Sequence, residues 1–243
     1  MLSYNKIYNL DIFDFLRKID DESIDLAIID PPYNLKVAQW DSFKSENDFL
    51  DFSYAWMDAM LSKIKKTGSF YIFNTAYNSA LFLNYLKGKA NFINWITWYK
   101  KDGFSNCRKK YNNATEVILF YSKGRDYTFN YNDIRVPYES VKRMEHASQK
   151  GILKNGKRWF PHPDGKLCTD VWEISSQRHK EKVNGKIQKL SHPTIKPYSM
   201  IERIVKASSN ENDIVLDLFA GSGIGLKVCL NLNRLYLGTD INY

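Results

Sequence analysis

A buried strand that ends in two prolines is the feature that most constrains this chain. Ile24–Ile29 is apolar apart from its second residue, which predicts a strand covered on both faces of a parallel sheet. Asp30-Pro31-Pro32-Tyr33 follows directly, and the prolines stop the strand and hold the next residues extended. Ligands bind at the carboxyl edge of such sheets. A carboxylate, carbonyl oxygens and an aromatic ring there suit a flat group carrying an N–H2, such as the amino edge of adenine or cytosine. A rigid strand-to-loop turn explains the same tetrapeptide equally well.

The carboxyl-terminal part of the sequence predicts a second ligand-binding turn. The apolar run Ile214–Phe219 leads into a glycine-rich loop at residues 220–225, a helix to about Leu232 and a strand at Leu235–Gly238, after which Asp240 follows. This order typically positions a nucleoside-bearing cofactor, because glycine lets the backbone approach closely and a carboxylate accepts from ribose hydroxyls. The loop lacks the later spaced glycine of a dinucleotide fingerprint and the Gly-Lys-Ser/Thr of a P-loop.

Together these motifs resemble the β-class of amino-directed DNA methyltransferases, which methylate adenine N6 or cytosine N4 with S-adenosylmethionine. The tetrapeptide precedes the cofactor loop, a circular permutation of the usual methyltransferase order that is typical of this class. Ile224 departs from the family, which commonly has threonine there. The residues that carry the resemblance are Asn9-Leu10-Asp11, Ser23-Ile24-Asp25-Leu26, Asp30-Pro31-Pro32-Tyr33-Asn34-Leu35, Trp40-Asp41-Ser42-Phe43, Glu116-Val117-Ile118-Leu119-Phe120, Asp170-Val171-Trp172, His192-Pro193-Thr194-Ile195-Lys196-Pro197 and Asp217-Leu218-Phe219-Ala220-Gly221-Ser222-Gly223.

The resemblance implies an α/β fold: a doubly wound, mostly parallel, Rossmann-like and circularly permuted methyltransferase sheet. It implies S-adenosylmethionine as cofactor, with Asp240 on the ribose hydroxyls, Asp11 on the cofactor adenine, and Thr194 and Lys196 at the methionine end. Lys196-Pro197 also fits an ordinary helix start. The full set of expected cofactor-binding residues is Asp11, Asp30, Thr194, Lys196, Asp217, Phe219, Ala220, Gly221, Ser222, Gly223 and Asp240.

The implied catalytic residues are Asp30, Pro31, Pro32 and Tyr33. An exocyclic amine is a poor nucleophile, because its lone pair is delocalised into the ring. The Asp30 carboxylate and the Pro31 carbonyl can accept from its two N–H bonds, which favours a pyramidal nitrogen and stabilises the positive charge that develops on attack. We expect Tyr33 to stack on a base flipped out of the duplex.

Several function classes stay open at this point. Within the favoured class, the family habit of Asp rather than Ser before the prolines favours adenine N6 over cytosine N4. Methyl transfer to RNA or to a protein amide is a second class, but such enzymes usually carry Asn before the prolines and place the cofactor loop upstream. The third is a non-catalytic DNA-binding relative, which the intact Asp30 and glycine loop disfavour.

Composition and cysteine content indicate which classes of protein are disfavoured. The 243-residue chain has 44% hydrophobic residues and a mean hydropathy of −0.46, no apolar stretch long enough for a membrane span, and no signal peptide at residues 1–6. Three scattered cysteines, at 107, 168 and 229, predict reduced thiols in a cytoplasmic protein without a metal site. None follows a proline, which disfavours the covalent mechanism of cytosine-C5 methyltransferases.

Positive charge is concentrated in one segment. Residues 141–190 hold twelve Lys or Arg against five Asp or Glu, so they account for most of the net charge of +8. This pattern fits either a solvated insertion or a DNA-facing lobe, and its position between the halves of the catalytic domain favours the lobe. We expect a catalytic domain of residues 1–123 and 192–243 and a basic target-recognition insertion of residues 124–191. The expected DNA-binding residues are Lys109, Lys110, Lys154, Lys157, Arg158, Arg178 and Lys180.

Aromatic residues of the insertion have two interpretations. Trp159, Phe160, His162 and Trp172 contact bases or form a small core, with Trp172 favoured as core. Double-stranded DNA is the expected partner. The resemblance adds a homodimer and a cognate restriction endonuclease as candidate partners, and no membrane.

Periodicity predicts the framework around these motifs. A helix over Glu46–Lys65 carries a stripe of three aromatic residues and a methionine, Phe49, Phe52, Trp56 and Met60, that belongs to the core. Strands are expected at 7–10, 69–74, 93–99 and 116–121, and helices at 76–86 and 197–208. The strands at 93–99 and 116–121 pair, and the last strand pair of the sheet is expected to be antiparallel.

Overall fold

The computed structural model describes residues 2–101, 108–176, 180–183, 186–189 and 195–243. The strands are β1 (Lys6–Tyr8), β2 (Ile24–Ile29), β3 (Ile64–Asn74), β4 (Asn91–Tyr99), β5 (Thr115–Ser122), β6 (Ile152–Lys154), β7 (Lys157–Trp159), β8 (Val171–Glu173), β9 (Lys180–Val183), β10 (Lys186–Lys189), β11 (Ile214–Asp217) and β12 (Leu235–Thr239). The α-helices are α1 (Ile12–Leu16), α2 (Glu46–Leu61), α3 (Ala76–Leu86), α4 (Val141–Lys150), α5 (Tyr198–Ser208) and α6 (Ile224–Asn231), and a short 3-10 helix spans Gln39–Asp41.

The main sheet brings the two ends of the chain together. Its eight strands lie in the order β1-β12-β11-β2-β3-β5-β4-β8, and β2 pairs in parallel with β11, with Leu26 opposite Val215 and Ala27 opposite Leu216. Helices cover both faces, which accounts for the continuous burial of β2. The predicted doubly wound, mostly parallel and circularly permuted α/β fold is confirmed.

Strand β5 runs against its neighbours. It is antiparallel to both β3 and β4, and its pairing with β4 confirms the predicted pair at 93–99 and 116–121, whereas β8 adds to the far side of β4 in parallel. Because β5 is reversed, its first residues lie at the edge where the parallel strands end. A residue at the start of this strand therefore reaches the ligand-binding edge of the sheet.

One face of the sheet is covered by α1, α2 and α3. Phe49, Trp56 and Met60 of α2 are fully buried and Phe52 packs against them, so the predicted stripe is core. The prediction that this helix continues to Lys65 is wrong, because it ends at Leu61. Ile64 instead pairs with Ile24 at the start of β3, so hydrogen bonding to β2 replaces the helical pattern.

The opposite face is covered by α5 and α6. Helix α5 follows Pro197 and buries Met200, Ile201, Ile204 and Val205. Its last residue, Ser208, hydrogen-bonds the hydroxyl of Tyr71 on β3 at 2.8 Å, which fixes the helix to the sheet.

The border between β2 and β11 is a topological switch point. From β2 the chain passes through α2 to β3 on one side, whereas from β11 it passes through α6 to β12 on the other. Connections that leave in opposite directions open a crevice at the carboxyl ends of the two strands. Among the described residues, no helix is both long enough and apolar enough to cross a membrane.

Residues 130–169 form a second compact unit, which contains α4 and a hairpin of β6 and β7. The hairpin turns at Asn155 (φ 50°) and Gly156 (φ 74°), the pair of left-handed residues that a tight two-residue turn requires. Arg135 donates to the Gly165 carbonyl at 2.8 Å across the unit. The unit is narrower than the expected 124–191 insertion, because β8 pairs with β4 of the main sheet and carries Trp172, which is buried.

Candidate active site

A cavity of about 320 Å³ lies at the switch point. Its walls come from the residues that follow β1, β2, β11 and β12 and from the start of β5, which gathers most of the predicted site. The predicted residues that line it are Asp11, Asp30, Pro31, Pro32, Tyr33, Lys196, Asp217, Phe219, Ala220, Gly221, Ser222 and Asp240. Thr194 lies outside the described residues.

The Asp240 carboxylate holds the glycine loop in place by hydrogen bonds to backbone amides. Asp240 accepts from the Gly221 amide at 2.9 Å through Oδ2 and from the Asn242 amide at 2.8 Å through Oδ1. Each oxygen keeps a second lone pair, so the carboxylate can still accept from a hydroxyl in the cavity. Gly223 does not line the cavity; it is the residue directly before α6 and has φ 73°, a conformation that favours glycine.

Asp11 begins α1. Its Oδ1 accepts from the Phe13 amide at 2.9 Å, which satisfies one of the open donors of the first helical turn. The same carboxylate faces the cavity, so its position there is fixed by the helix start.

Asp217 lies beneath the glycine loop with 9% of its surface exposed. Its Oδ2 accepts from the Tyr236 hydroxyl at 3.0 Å, and its Oδ1 accepts from the Phe219 amide at 3.2 Å. Burial raises the pKa of Asp217 to about 7, although both hydrogen bonds act to lower it. A Cβ on Gly225 would come within 2.9 Å of this carboxylate, so the close packing of α6 requires glycine there.

Four charged groups and a tyrosine meet at the other wall. Lys196 Nζ lies 2.8 Å from Asp30 Oδ1 and 3.7 Å from Glu116 Oε2, and Lys100 pairs with the same Glu116. The Tyr33 hydroxyl donates to Asp30 Oδ1 at 2.9 Å and lies 3.2 Å from Glu116 Oε2. The cluster therefore balances two ammonium groups against two carboxylates.

Burial and pairing act against each other in this cluster. Burial lowers the pKa of Lys196, but attraction to Asp30 and Glu116 outweighs burial and raises it above its ordinary value. Burial raises the pKa of Glu116, and the two lysines more than reverse that shift. For Asp30, burial raises the pKa despite the opposing attraction of Lys196. With Lys196 at 2.8 Å, the pair is an ion pair whose members hold each other charged.

Two features of this cluster were not predicted. The first is that the Lys196 ammonium contacts Asp30, while its expected place at the methionine end of the cofactor stays a prediction. Glu116 appeared only as part of a motif and not as a site residue. Only the reversed direction of β5 brings Glu116 to the cavity, and a sequence pattern does not give strand direction.

The expected DNA-binding residues are dispersed. Lys109 and Lys110 are exposed before β5, and Lys154 and Lys157 are exposed on the β6–β7 hairpin. Arg158 donates to the Lys150 carbonyl and so caps α4, which gives it a structural contact. Arg178 lies outside the described residues, and so does the side chain of Lys180 in β9. In the described ranges no cluster of His, Cys, Asp or Glu could hold a metal ion.

The raised pKa of Asp217 predicts a pH dependence of stability. Below about pH 4 this carboxyl is protonated in both the folded and the unfolded chain, and between about pH 4 and pH 7 the folded state binds the proton more tightly. Its contribution to the free energy of unfolding is therefore lost as pH rises, by up to about 1.4 kcal/mol per pH unit.

Urea unfolding between about pH 4 and pH 7 should show that loss in the wild type and not in Asp217→Asn. Asp51→Asn, an exposed change on α2, is the control. Parallel curves for wild type and Asp217→Asn would contradict the assignment.

Comparison with known proteins connects this geometry to a family. Residues 24–243 match the family model N6_N4_Mtase, DNA methylase. The Type II methyltransferase M1.MboII of Moraxella bovis is 56% identical over 243 residues, which cover all of this chain and 94% of that relative. Among solved structures, the PvuII DNA methyltransferase (cytosine-N4-specific) aligns with TM-score 0.70 and 17% identity over 99% of this chain and 83% of that one. The M1.HpyAVI–SAM complex aligns with TM-score 0.59 and 22% identity over 97% and 92% of the two chains. The chain belongs to the N6/N4 DNA methylase family, as a DNA methyltransferase of the restriction-modification type whose cofactor is S-adenosylmethionine.

Proposed function

We propose that this chain methylates adenine N6 in duplex DNA, acting on a base that has rotated out of the helix. The observation that carries the proposal is the Asp30 carboxylate, which lies at the cavity and is held by Lys196 and the Tyr33 hydroxyl. An acid before the two prolines is the family habit of adenine enzymes, whereas serine is that of cytosine-N4 enzymes. An adenine bound in the cavity then donates an N–H of its N6 amine to the ionised Asp30 carboxylate.

Asp30 has one oxygen available for the amine. Among the described residues, both contacts of its side chain, from Lys196 and from Tyr33, fall on Oδ1. Oδ2 can therefore accept an N–H of the target amine without breaking the cluster. The charge on Asp30 stabilises the positive charge that grows on the nitrogen, and its fixed position removes the cost of reorienting a solvent dipole.

The negative charge of Glu116 offsets the positive charge of Lys196. The Lys196 ammonium next to Asp30 would repel a nitrogen that becomes positive. Glu116 Oε2 lies 3.7 Å from the same ammonium, and together with Lys100 it leaves the cluster neutral. We propose that Lys196 and Glu116 are positioning residues with different roles: Lys196 favours the ionised form of Asp30, and Glu116, whose own charge raises the pKa of Asp30, cancels the excess positive charge of the two lysines.

The residues that line the other wall fit the cofactor. When bound, S-adenosylmethionine supplies an electrophilic methyl group on a positively charged sulfur. The cavity offers the acidic side chains of Asp11, Asp217 and Asp240 for its ammonium and hydroxyl groups, and the ring of Phe219 for its base. Gly221 brings the backbone to the cavity edge. We propose that Asp240 accepts from the ribose, where it already organises the loop.

The compact unit of residues 130–169 is proposed as a DNA-contacting lobe. Lys154 and Lys157 lie at the tip of its hairpin, opposite each other in register, and Trp159 and Phe160 are 43% and 52% exposed. Lysines at a hairpin tip can neutralise phosphates, and the exposed rings can contact bases or sugars. The homodimer, the cognate restriction endonuclease and the cytoplasmic location stay proposals of the same kind.

The identity of the base is tested by product analysis. Unmethylated duplex DNA is incubated with the protein and methyl-labelled S-adenosylmethionine, then digested to nucleosides for mass spectrometry. We expect label in N6-methyladenine. Label in N4-methylcytosine would overturn the choice of base while keeping the role of Asp30. The absence of label from every DNA nucleoside would overturn DNA methylation.

Asp30→Asn should lower kcat by about 100-fold to 1000-fold, because a neutral amide cannot stabilise the developing positive charge as a carboxylate does. The dissociation constant for S-adenosylmethionine, measured by calorimetry, should stay close to the wild-type value. Asp51→Asn serves as the matched control for the same chemical change at an exposed position. Near-normal turnover in Asp30→Asn would reject the role of this carboxylate.

The double change Lys154→Gln and Lys157→Gln should reduce the salt dependence of DNA binding. A plot of log K for DNA binding against log salt concentration has a negative slope. For each lysine that neutralises a phosphate, its replacement by glutamine should make that slope less negative by about 0.9. Lys66→Gln is the control, since Lys66 is exposed near the amino end of β3, at the edge away from the cavity. Fluorescence anisotropy with a labelled duplex at several salt concentrations gives the slopes. An unchanged slope in the double variant would place the DNA elsewhere.

A further inference from the structure

The loop that follows the catalytic tetrapeptide is folded around one buried carboxylate. Asp41 is 1% exposed, and its Oδ1 accepts from the amides of Tyr33 at 2.6 Å and Asn34 at 2.8 Å. Its Oδ2 accepts from the amides of Leu35 at 2.9 Å and Val37 at 3.3 Å. A single side chain therefore receives four backbone N–H groups from five consecutive residues.

The backbone of this loop has the geometry of an anion nest. Asn34 has φ 58° and Lys36 has φ 59°, in the left-handed region that residues with side chains seldom adopt. Left-handed residues placed between others turn successive N–H groups toward one point, where an anion collects them. Without an anion these N–H dipoles would repel one another, so the conformation depends on the Asp41 charge.

Asp41 lines the cavity, but its role is internal. An ionised carboxylate has about four lone-pair positions, and four amides use them. It therefore has no acceptor left for a substrate. The Asn34 side chain accepts from the Phe43 amide at 3.3 Å, and Asn78 donates to the Tyr33 carbonyl at 2.9 Å, so the loop is closed at both ends.

We propose that Asp41 is a positioning residue for methyl transfer, the internal anion that holds Tyr33 and the loop behind it in their working conformation. The Tyr33 amide donates to Asp41 and the Tyr33 hydroxyl donates to Asp30. The hydrogen bond to Asp41 therefore fixes the backbone of Tyr33, and with it the position of the Tyr33 ring against the Asp30 carboxylate. Leu35 and Val37 form a wall of the cavity and are more than half exposed, so the nest and not core packing keeps them in place. The inference rests on the proposed methyl transfer for its functional consequence, but the anchoring itself does not.

Hydrogen exchange tests the anchor without reference to activity. In the wild type the amides of residues 33–37 should exchange slowly, and Asp41→Asn should expose them. An asparagine of the same shape has one acceptor oxygen, and its N–H2 group faces N–H donors. The exposed Asp51→Asn is the control and should leave the exchange of these amides unchanged. Unchanged protection in Asp41→Asn would overturn the proposal.

Steady-state kinetics tests the functional part. A misplacement of reacting groups by about 1 Å costs about 100-fold, so kcat of Asp41→Asn should fall by that factor. The dissociation constant of S-adenosylmethionine should stay at the wild-type value, because the glycine loop and Asp240 follow other strands, β11 and β12, and make their own hydrogen bonds. A loss of kcat matched by an equal loss of cofactor affinity would indicate general disruption and overturn the positioning role. Wild-type kcat with exposed amides would overturn it as well.

A second variant distinguishes loss of the Asp41 carboxylate from misfolding of the protein. Asp41→Ala leaves room for a small carboxylate, so formate should restore part of kcat and of the amide protection, while chloride at equal ionic strength should not. Equal effects of both salts would contradict the need for a carboxylate in the nest. If the wild type methylates no DNA, the proposed function fails, and the exchange and formate arms still decide whether Asp41 anchors the loop.

Discussion

The parallel pairing of β2 with β11 is the contact on which the rest of the structure depends. It joins strands that lie almost 190 residues apart in the chain, and the side chain of Asp25 fixes their alignment. Its Oδ2 accepts from the Ile214 amide at 2.9 Å, while Lys65 from β3 binds Oδ1 at 2.7 Å. Three strands are thereby aligned at their amino ends. Their carboxyl ends then present Asp30 and Asp217 at one edge, which creates the crevice.

The acidic groups of this crevice are accommodated in three different ways. Asp30, Glu116 and Lys196 lie in a water-poor wall, where an unpaired charge would be costly, and they stay ionised because each touches a partner of opposite sign. Asp217 has hydrogen bonds but no cationic partner among the described residues, so burial raises its pKa to about 7. Asp41 represents a third solution, since backbone amides replace a cationic side chain.

Much of the fold and of the site could be predicted because the signals are local. Apolar runs followed by Pro-Pro or by a glycine loop specify a strand and its ending whatever surrounds them, and Asp11, Asp30 and Asp240 each follow such a run. Other features depend on neighbours in space. The end of α2 is decided by the pairing of Ile64 with Ile24, and the exposure of Glu116 to the cavity by the direction of β5. The Asn155-Gly156 pair is a local signal for a hairpin, but it lies in a segment that was interpreted by its charge and its aromatic residues.

The sequence by itself determined the family, through the motifs that resemble it and their order along the chain. It also determined the α/β class and the strand ends that carry acids, because these follow from short-range sterics and from the burial pattern of single strands. Only the tertiary structure decided which of these groups touch. It placed the Lys196 ammonium on Asp30, brought Glu116 and Lys100 to the same point, and wrapped the loop of residues 33–37 around Asp41. Contacts between charges depend on distances of a few ångströms between distant segments. Such distances are set by register, strand direction and packing, which no local pattern encodes.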